Sequence, residues 1–244
     1  MRPNVLSIAG FDPSGGAGIL ADIKVFEFHK VYGFGACTAI TYQNDNEFNG
    51  LQWFSSEEII KQIELLFKKF PVEFVKIGII KDLSTLIQVV DYLHYEIPNV
   101  KIIWDPVLKA SAGYVFHNLK EMNVLDSLLK NIYLITPNKE EFQQMFKIPI
   151  ENSANLNCNV LISGVESADG IYVNDLLISN NEHYIITGNK IGYYEKHGTG
   201  CSLSSSITSN LALGIDLVKS CTMAKNYVKS LLISNKSLLA YHNI

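Results

Sequence analysis

Residues 197–207, His-Gly-Thr-Gly-Cys-Ser-Leu-Ser-Ser-Ser-Ile, carry the clearest chemistry in the chain. Two glycines flank Thr199, and a helix-like run starts at once. A glycine turn feeding a helix start aims several free backbone N–H groups at one point, and the helix dipole favours negative charge there. Gly198, Thr199, Gly200 and Cys201 are therefore a candidate cradle for a transferring phosphoryl group. Cys201 lies at the helix start, where a thiol pKa is usually lowered. A Gly-x-Gly by itself is more often a tight turn that only glycine fits, so the reading depends on what surrounds it.

Other polar residues sit where such a cradle would need them. Gly10-Phe-Asp-Pro-Ser-Gly-Gly-Ala-Gly18 is a glycine-rich loop between an apolar strand and a helical run. It is neither a P-loop, since Gly16 and Ala17 stand where Lys and Ser/Thr are required, nor a Gly-x-Gly-x-x-Gly fingerprint. It could bring backbone close to a small ligand or simply turn the chain. Asp22 lies one turn into the following helix, as a hydrogen-bond acceptor for a substrate or as an exposed charge favoured by the dipole. Gln43 has one acceptor and two donors and can read the edge of a heterocycle. Asp105 follows an apolar strand. Asn138 and Glu141 form an Asn-x-x-Glu capping pair, and hard oxygen ligands of this kind also suit Mg²⁺ beside phosphates. His197, a loop histidine beside glycine, is read as structural or exposed.

The elements that position these residues alternate. Strands are expected near residues 4–9, 34–41, 73–80, 100–104, 132–136 and 159–163. Residues 171–178 read as a hairpin turning at Asn174-Asp175. Helices are expected at 19–30, from the Ser55/Glu58 capping box onward, at 84–95, after Asn138, and in two segments from Thr199 split near Gly214. Alternation implies parallel βαβ units, a mostly parallel sheet with helices on both faces. Ligands in such sheets bind beyond the carboxyl ends of the strands, and Gly10, Asp105 and Asn138 each follow one.

The 244 residues suit one α/β domain spanning 1–244. With 48% hydrophobic and 18% charged residues the chain can bury a large core, and its formal charge of −4, without like-charge blocks, argues against nucleic-acid binding. No apolar run is long enough to span a membrane. The four cysteines form no Cys-x-x-Cys pair, so neither zinc nor a disulfide framework is indicated, and a reducing cytoplasm is the expected compartment.

Taken together, the segments resemble one family in its own order. They are residues 9–22, Tyr42-Gln43-Asn44, Lys76-Ile-Gly78, Asp105-Pro-Val107, Thr136-Pro-Asn138 with Glu141, and His197-Gly-Thr-Gly-Cys201. The chain is similar to the hydroxymethylpyrimidine/phosphomethylpyrimidine kinases of thiamine biosynthesis, within the ribokinase-like superfamily, from about residue 4 to residue 213. The resemblance implies a three-layer fold and ATP- and Mg²⁺-dependent phosphorylation of 4-amino-5-hydroxymethyl-2-methylpyrimidine and of its monophosphate. It assigns the pyrimidine to Gln43, with Gly10 and Asp22 on the substrate side. Mg²⁺ and phosphate fall to Asn138 and Glu141, joined by Asp105, and the anion hole to residues 198–201. Dimers are common in that family, and no interface is legible in the sequence. Cys201 stands where the wider superfamily usually has Asp, as in the pyrimidine-kinase branch. Ala110-Ser-Ala-Gly113 lacks the lysine often found there, Ser163-Gly-Val165 replaces a Lys-Gly-Gly pattern, and the stretch between Phe146 and Asn159 is short.

On this resemblance the reaction is an in-line transfer governed by positioning and charge, with Cys201 as candidate base for the hydroxymethyl proton. A free thiol has a pKa of about 8.5, so the role requires a lowered value. Pyridoxine or pyridoxal kinase is the nearest alternative, since the acceptor ring is similar. A catalytically silent ligand-binding relative is the other, motivated by Ser111.

Overall fold

The computed structural model describes residues 1–108, 122–150, 156–167, 170, 172–188 and 194–242. The Ala110–Gly113 departure and part of the short 146–159 link lie outside them. In chain order the elements are β1 (Asn4–Phe11), α1 (Gly18–Phe28), β2 (Tyr32–Gln43), β3 (Phe48–Trp53), α2 (Ser56–Phe67), β4 (Phe74–Ile77), α3 (Leu83–Glu96) and β5 (Lys101–Trp104). Then follow α4 (Met122–Leu129), β6 (Leu134–Ile135), α5 (Lys139–Phe146), β7 (Asn159–Glu166), β8 (Val173–Ser179), β9 (Glu182–Ile186), α6 (Thr199–Ala212) and α7 (Leu217–Ile233).

Period-two alternation builds three layers from these strands. In β5, Ile102 and Trp104 enter one apolar cluster and Ile103 enters another. In β7, Val160 and Ile162 face the first and Leu161 the second. The first cluster is closed by Ile59 and Ile63 of α2, Leu86 and Leu93 of α3, Leu129 of α4 and Phe142 of α5. The second is closed by Leu203 and Ile207 of α6 and Ala224 of α7. Both strand faces are thus buried, as in parallel sheets covered by crossover helices.

The nine strands run in the order β3-β2-β1-β4-β5-β6-β7-β8-β9. Pairing is parallel from β2 through β7. It is antiparallel at β2–β3, β7–β8 and β8–β9. The chain leaves β1 for β2 on one side and later returns to β4 on the other. This reversal opens a crevice at the carboxyl ends, where ligands bind in such sheets.

Both expected capping boxes form, at Ser55/Glu58 and at Asn138/Glu141. Three expectations are corrected. The second strand runs on into a turn and an antiparallel partner, β3. Asn44 builds that turn, its Oδ1 accepting from the N–H groups of Asn46 and Glu47 at 2.8 and 2.7 Å. Strand β9, which the sequence did not announce, ends the sheet. The hairpin does not turn at Asn174-Asp175, which lie inside β8. It turns at Asn180-Asn181, both with positive φ, 51° and 63°, the two-residue geometry that suits twisted antiparallel strands. Asp175 stays in a strand because its carboxylate accepts from Gly164 N–H at 3.1 Å and pairs with Lys225 of α7 at 2.9 Å.

Candidate functional site

Helix α6 begins at Gly198, whose φ of 76° is left-handed and which supplies no side-chain cap. A Cβ there would collide with the Gly16 carbonyl, so the residue must be glycine. The first intrahelical bond runs from Ser202 N–H to Gly198 C=O at 2.9 Å. The N–H groups of Thr199, Gly200 and Cys201 therefore stand at the helix mouth without helical partners. They line a cavity of about 250 Å³ that also receives Gly10, Gln43, Lys76, Asp105, Asn138 and Glu141. Strand ends as much as 128 residues apart in sequence, from Gly10 to Asn138, thus meet in one crevice.

Beneath the cavity lies a buried charge network. Lys76, with no solvent exposure, reaches Asp22 at 2.9 and 3.1 Å. Asp22, equally buried, also accepts from Ser7 Oγ and from Ser205 Oγ at 2.6 Å. Burial alone would pull Lys76 down, but Asp22, joined by Asp105, outweighs it and holds the ammonium above its ordinary range. A fixed cation thus stands under the anion hole. Burial also pushes Asp105 up to about 6, against the pull of Lys76. Ser204 Oγ, one turn into α6, contacts Asp105 at 3.2 Å.

Two expectations change here. Asp22 is neither a substrate acceptor nor an exposed helix charge. It lies below the floor, every contact taken by Lys76, Ser7 and Ser205. Cys201 lines the cavity, but its thiol is not lowered. Burial, reinforced by Asp105 and Asp22, pushes it up to about 12, and the opposing pull of Lys76 is too weak to reverse that. Cys201 is a neutral thiol at neutral pH in this site.

Asn138 and Glu141 sit where α5 starts. Asn138 Oδ1 accepts from Glu141 N–H, and Glu141 Oε2 accepts from Asn138 N–H, both at 2.9 Å. Burial, then the charge of Asp105, pushes Glu141 up to about 7. Asp105 thus raises Glu141, and two such oxygen donors on one cavity wall are of the kind that a hard divalent cation takes. Mg²⁺ keeps several waters and needs only one or two carboxylates plus phosphate.

The N-terminal glycine turn closes the cavity from the other side. Asp12 accepts from Ser14 N–H, Ser14 Oγ and Ala17 N–H, each at 2.9 Å. It also contacts His197 Nε2 at 2.8 Å. Burial would raise Asp12, but these partners, His197 foremost, hold it below the usual carboxylate range. From behind, the His197 N–H donates to Leu238 C=O at 2.9 Å, and Lys196 Nζ donates to the carbonyls of Asn235 and Ser237 at 2.5 and 2.6 Å. His197, set aside by sequence reasoning, is a central contact.

A second cavity, about 380 Å³, adjoins the first, and both are lined by Ser163, Thr199 and Gly200. Its other walls come from Gly164, Asp175 and Gly188 on the β7–β9 side and from Lys225 and Lys229 on α7. The sequence reading missed this cavity together with Asp12, Lys76 and Ser204. For Lys76 a signal existed, because a lysine inside the apolar run Phe-Val-Lys-Ile-Gly-Ile-Ile must be buried with a carboxylate.

A mostly parallel sheet between helical layers, with adjoining cavities meeting at a glycine-rich helix start, defines the ribokinase-like class of small-molecule kinases. Staphylococcus aureus pyridoxal kinase in complex with ADP superposes with a TM-score of 0.84 over 99% of this chain and 94% of its own, and at 23% identity that is a likeness of fold. Phosphomethylpyrimidine kinase from Clostridium difficile 630 superposes at 0.77 with 30% identity, over 94% and 99% of the two chains. In sequence, the hydroxymethylpyrimidine/phosphomethylpyrimidine kinase of Aquifex aeolicus is 31% identical over 245 residues, 96% of this chain and 95% of the relative. The bifunctional thiamine biosynthesis protein ThiDN of Methanocaldococcus jannaschii is 32% identical over 98% of this chain, which spans only 55% of that longer protein. The phosphomethylpyrimidine kinase family model matches residues 12–243, and the chain belongs to that family.

Proposed function

We propose that the chain transfers the γ-phosphoryl group of ATP to the hydroxymethyl group of 4-amino-5-hydroxymethyl-2-methylpyrimidine, and then a second phosphoryl group to the monophosphate. We read residues 1–244 as one domain for this purpose. The observation that carries the reading is that two cavities meet at Thr199 and Gly200. The first takes the ring, with Gln43 on its hydrogen-bonding edge and Gly10 backbone against it. The second takes the nucleotide, its triphosphate passing Lys225 and Lys229 toward the N–H groups of residues 199–201.

Phosphoryl transfer asks the protein mainly for alignment and for charge stabilisation. The α6 amides hold the equatorial oxygens as charge redistributes, and one lost donor of this kind typically costs about 2.7–4 kcal/mol of barrier. Lys76 adds a fixed positive charge below them without exposing itself to water. Asp105 and Glu141, supported by Asn138, are the residues that would hold Mg²⁺. Mg²⁺ held there would offset phosphate charge. Because its thiol is protonated, Cys201 acts as a neutral contact that orients the attacking hydroxyl. A loose transition state demands little deprotonation of the nucleophile; the hydroxyl proton leaves onto the transferred phosphoryl oxygens and from there to solvent, which relieves the site of needing a resting thiolate.

A coupled ADP-release assay with ATP and Mg²⁺ tests this, run in parallel with the pyrimidine alcohol, its monophosphate and pyridoxine. Release with both pyrimidines, at a kcat/KM well above that with pyridoxine, is the expected result. Binding without ADP release would overturn the kinase reading, and preference for pyridoxine would reassign the acceptor.

A further inference from the structure

The anion hole and the acceptor-side glycine turn come from distant parts of the chain, and a shielded side-chain hydrogen bond helps to join them. Asp12 Oδ2 and His197 Nε2 lie 2.8 Å apart with side chains only 2% and 7% exposed. Each residue is anchored at its own end. Asp12 gathers the Ser14 and Ala17 N–H groups, and Ala17 is the N-cap of α1. His197 immediately precedes Gly198, and its backbone is tied to Leu238. Its ring packs over Gly16 so closely that a Cβ at Gly16 would strike it.

The direction of the bond follows from an accounting of donors. His197 Nδ1 is buried and has no partner among the described residues. A carboxylate has no proton to give and only accepts. The bond is therefore Nε2–H donating to the Asp12 carboxylate. It has a fixed direction, and both side chains lie on the wall of the first cavity, nearly closed off from bulk water.

We infer that this Asp12–His197 hydrogen bond is a brace that sets the distance between the acceptor hydroxyl and the anion hole. Asp12 and His197 are positioning residues for phosphoryl transfer, and the inference rests on the proposed kinase reading. Its physical basis is the steep dependence of transfer on approach. Reacting atoms must sit about 3–3.5 Å apart, and a misplacement of about 1 Å costs on the order of a hundredfold in rate. Removing the brace alters one patch of the first cavity's wall, leaves Gln43 and the second cavity in place, and lets the two turns drift relative to each other. The effect then falls on kcat and leaves KM nearly untouched.

The test uses His197→Ala, His197→Gln, Asp12→Asn and the His197→Ala/Asp12→Asn double variant of the full chain. Glutamine places an N–H close to the position of Nε2, so it restores the donor. His197→Ala and Asp12→Asn are each expected to lower kcat about thirty- to hundredfold with KM values within about threefold. His197→Gln recovers at least about tenfold of that loss, and the double variant is no worse than the worse single, because both remove one interaction. Additive losses, a loss carried by KM, or no recovery with glutamine overturns the brace while leaving the kinase reading intact. A parent chain inactive on every acceptor overturns the kinase reading instead, and hydrogen exchange then judges the brace without substrate. In Asp12→Asn, exchange at the His197 and Ser202 amides, which lie on the opposite turn, is expected to speed up at least about tenfold. Unchanged protection there refutes the coupling, and the same measurement serves if His197→Ala does not fold.

Discussion

Replacing Lys76 with Met removes the cation paired with a fully buried carboxylate while roughly preserving side-chain volume. Breaking a buried ion pair from one side typically costs about 3–5 kcal/mol, because the remaining charge is left uncompensated. Asp22 would keep two hydroxyl donors, Ser7 and Ser205. The cost should therefore fall at the lower end, about 3 kcal/mol. In a chain of 244 residues, each kcal/mol moves Tm by about 2–4 °C, so the expected drop is about 6–12 °C. Thermal unfolding followed by circular dichroism measures it. The Lys76→Met/Asp22→Asn double variant removes both charges and should regain at least half of the loss. Asp105 rises further in the single variant, since the cation that restrains it is gone, and kcat falls with it. A single variant melting within about 2 °C of the parent, or a double variant no more stable than the single, would refute the claim that this pair is the electrostatic floor of the site.

Two further outcomes follow from the same geometry. Cys201→Ala should lower kcat about ten- to hundredfold while ADP affinity stays within about twofold by calorimetry; unchanged turnover removes Cys201 from the mechanism. The shape of the pH–rate profile between pH 6 and 9 should also be the same in parent and variant, because the thiol, pushed up to about 12, does not titrate there. Stability should fall as the solution is acidified from about pH 6.5 to about pH 4. Burial holds His29 and His242 near 4 in the folded chain, against 6.5 for a free ring. The unfolded chain therefore binds more protons throughout that window, and the stability present above pH 6.5 is lost as pH falls. Each ring contributes at most about 1.4 kcal/mol per pH unit, and less here because both are partly exposed. Denaturant titrations at several pH values should show a shallower slope for His242→Gln.

The parallel core of the sheet was legible because buried apolar runs bounded by helical spacing leave few alternatives. The site's address was legible too, since Gly10, Gln43, Asp105 and Asn138 all lie at or just beyond the carboxyl ends of strands that must end on one side. Local chemistry misled where distant partners decide. Asn174-Asp175 has the composition of a turn, but Lys225, fifty residues on, stabilises Asp175 within a strand. Asp22 resembles a solvated helix charge until Lys76, 54 residues away, is brought against it. The helix-terminus rule lowers a thiol in isolation. At Cys201 desolvation and two neighbouring carboxylates reverse it, and neither is visible in a local window. Strand β3, with Asn49 and Gly50 in its middle, has too weak an alternation to announce itself.

Helix α6 is buried along nearly its whole length, residues 202 to 211, and is lined by small hydroxyl side chains. It is hemmed in by the sheet on one flank and by α1 and α7 on the others. A rod walled in this way is held on several flanks, so under the proposed reading the phosphoryl cradle is the fixed half of the crevice. The far lip is the solvated half, where Tyr42 stands in water beside Gln43 and the 44–47 turn. If Gln43 grips the ring as proposed, acceptor choice rests with the half of the site that water reaches.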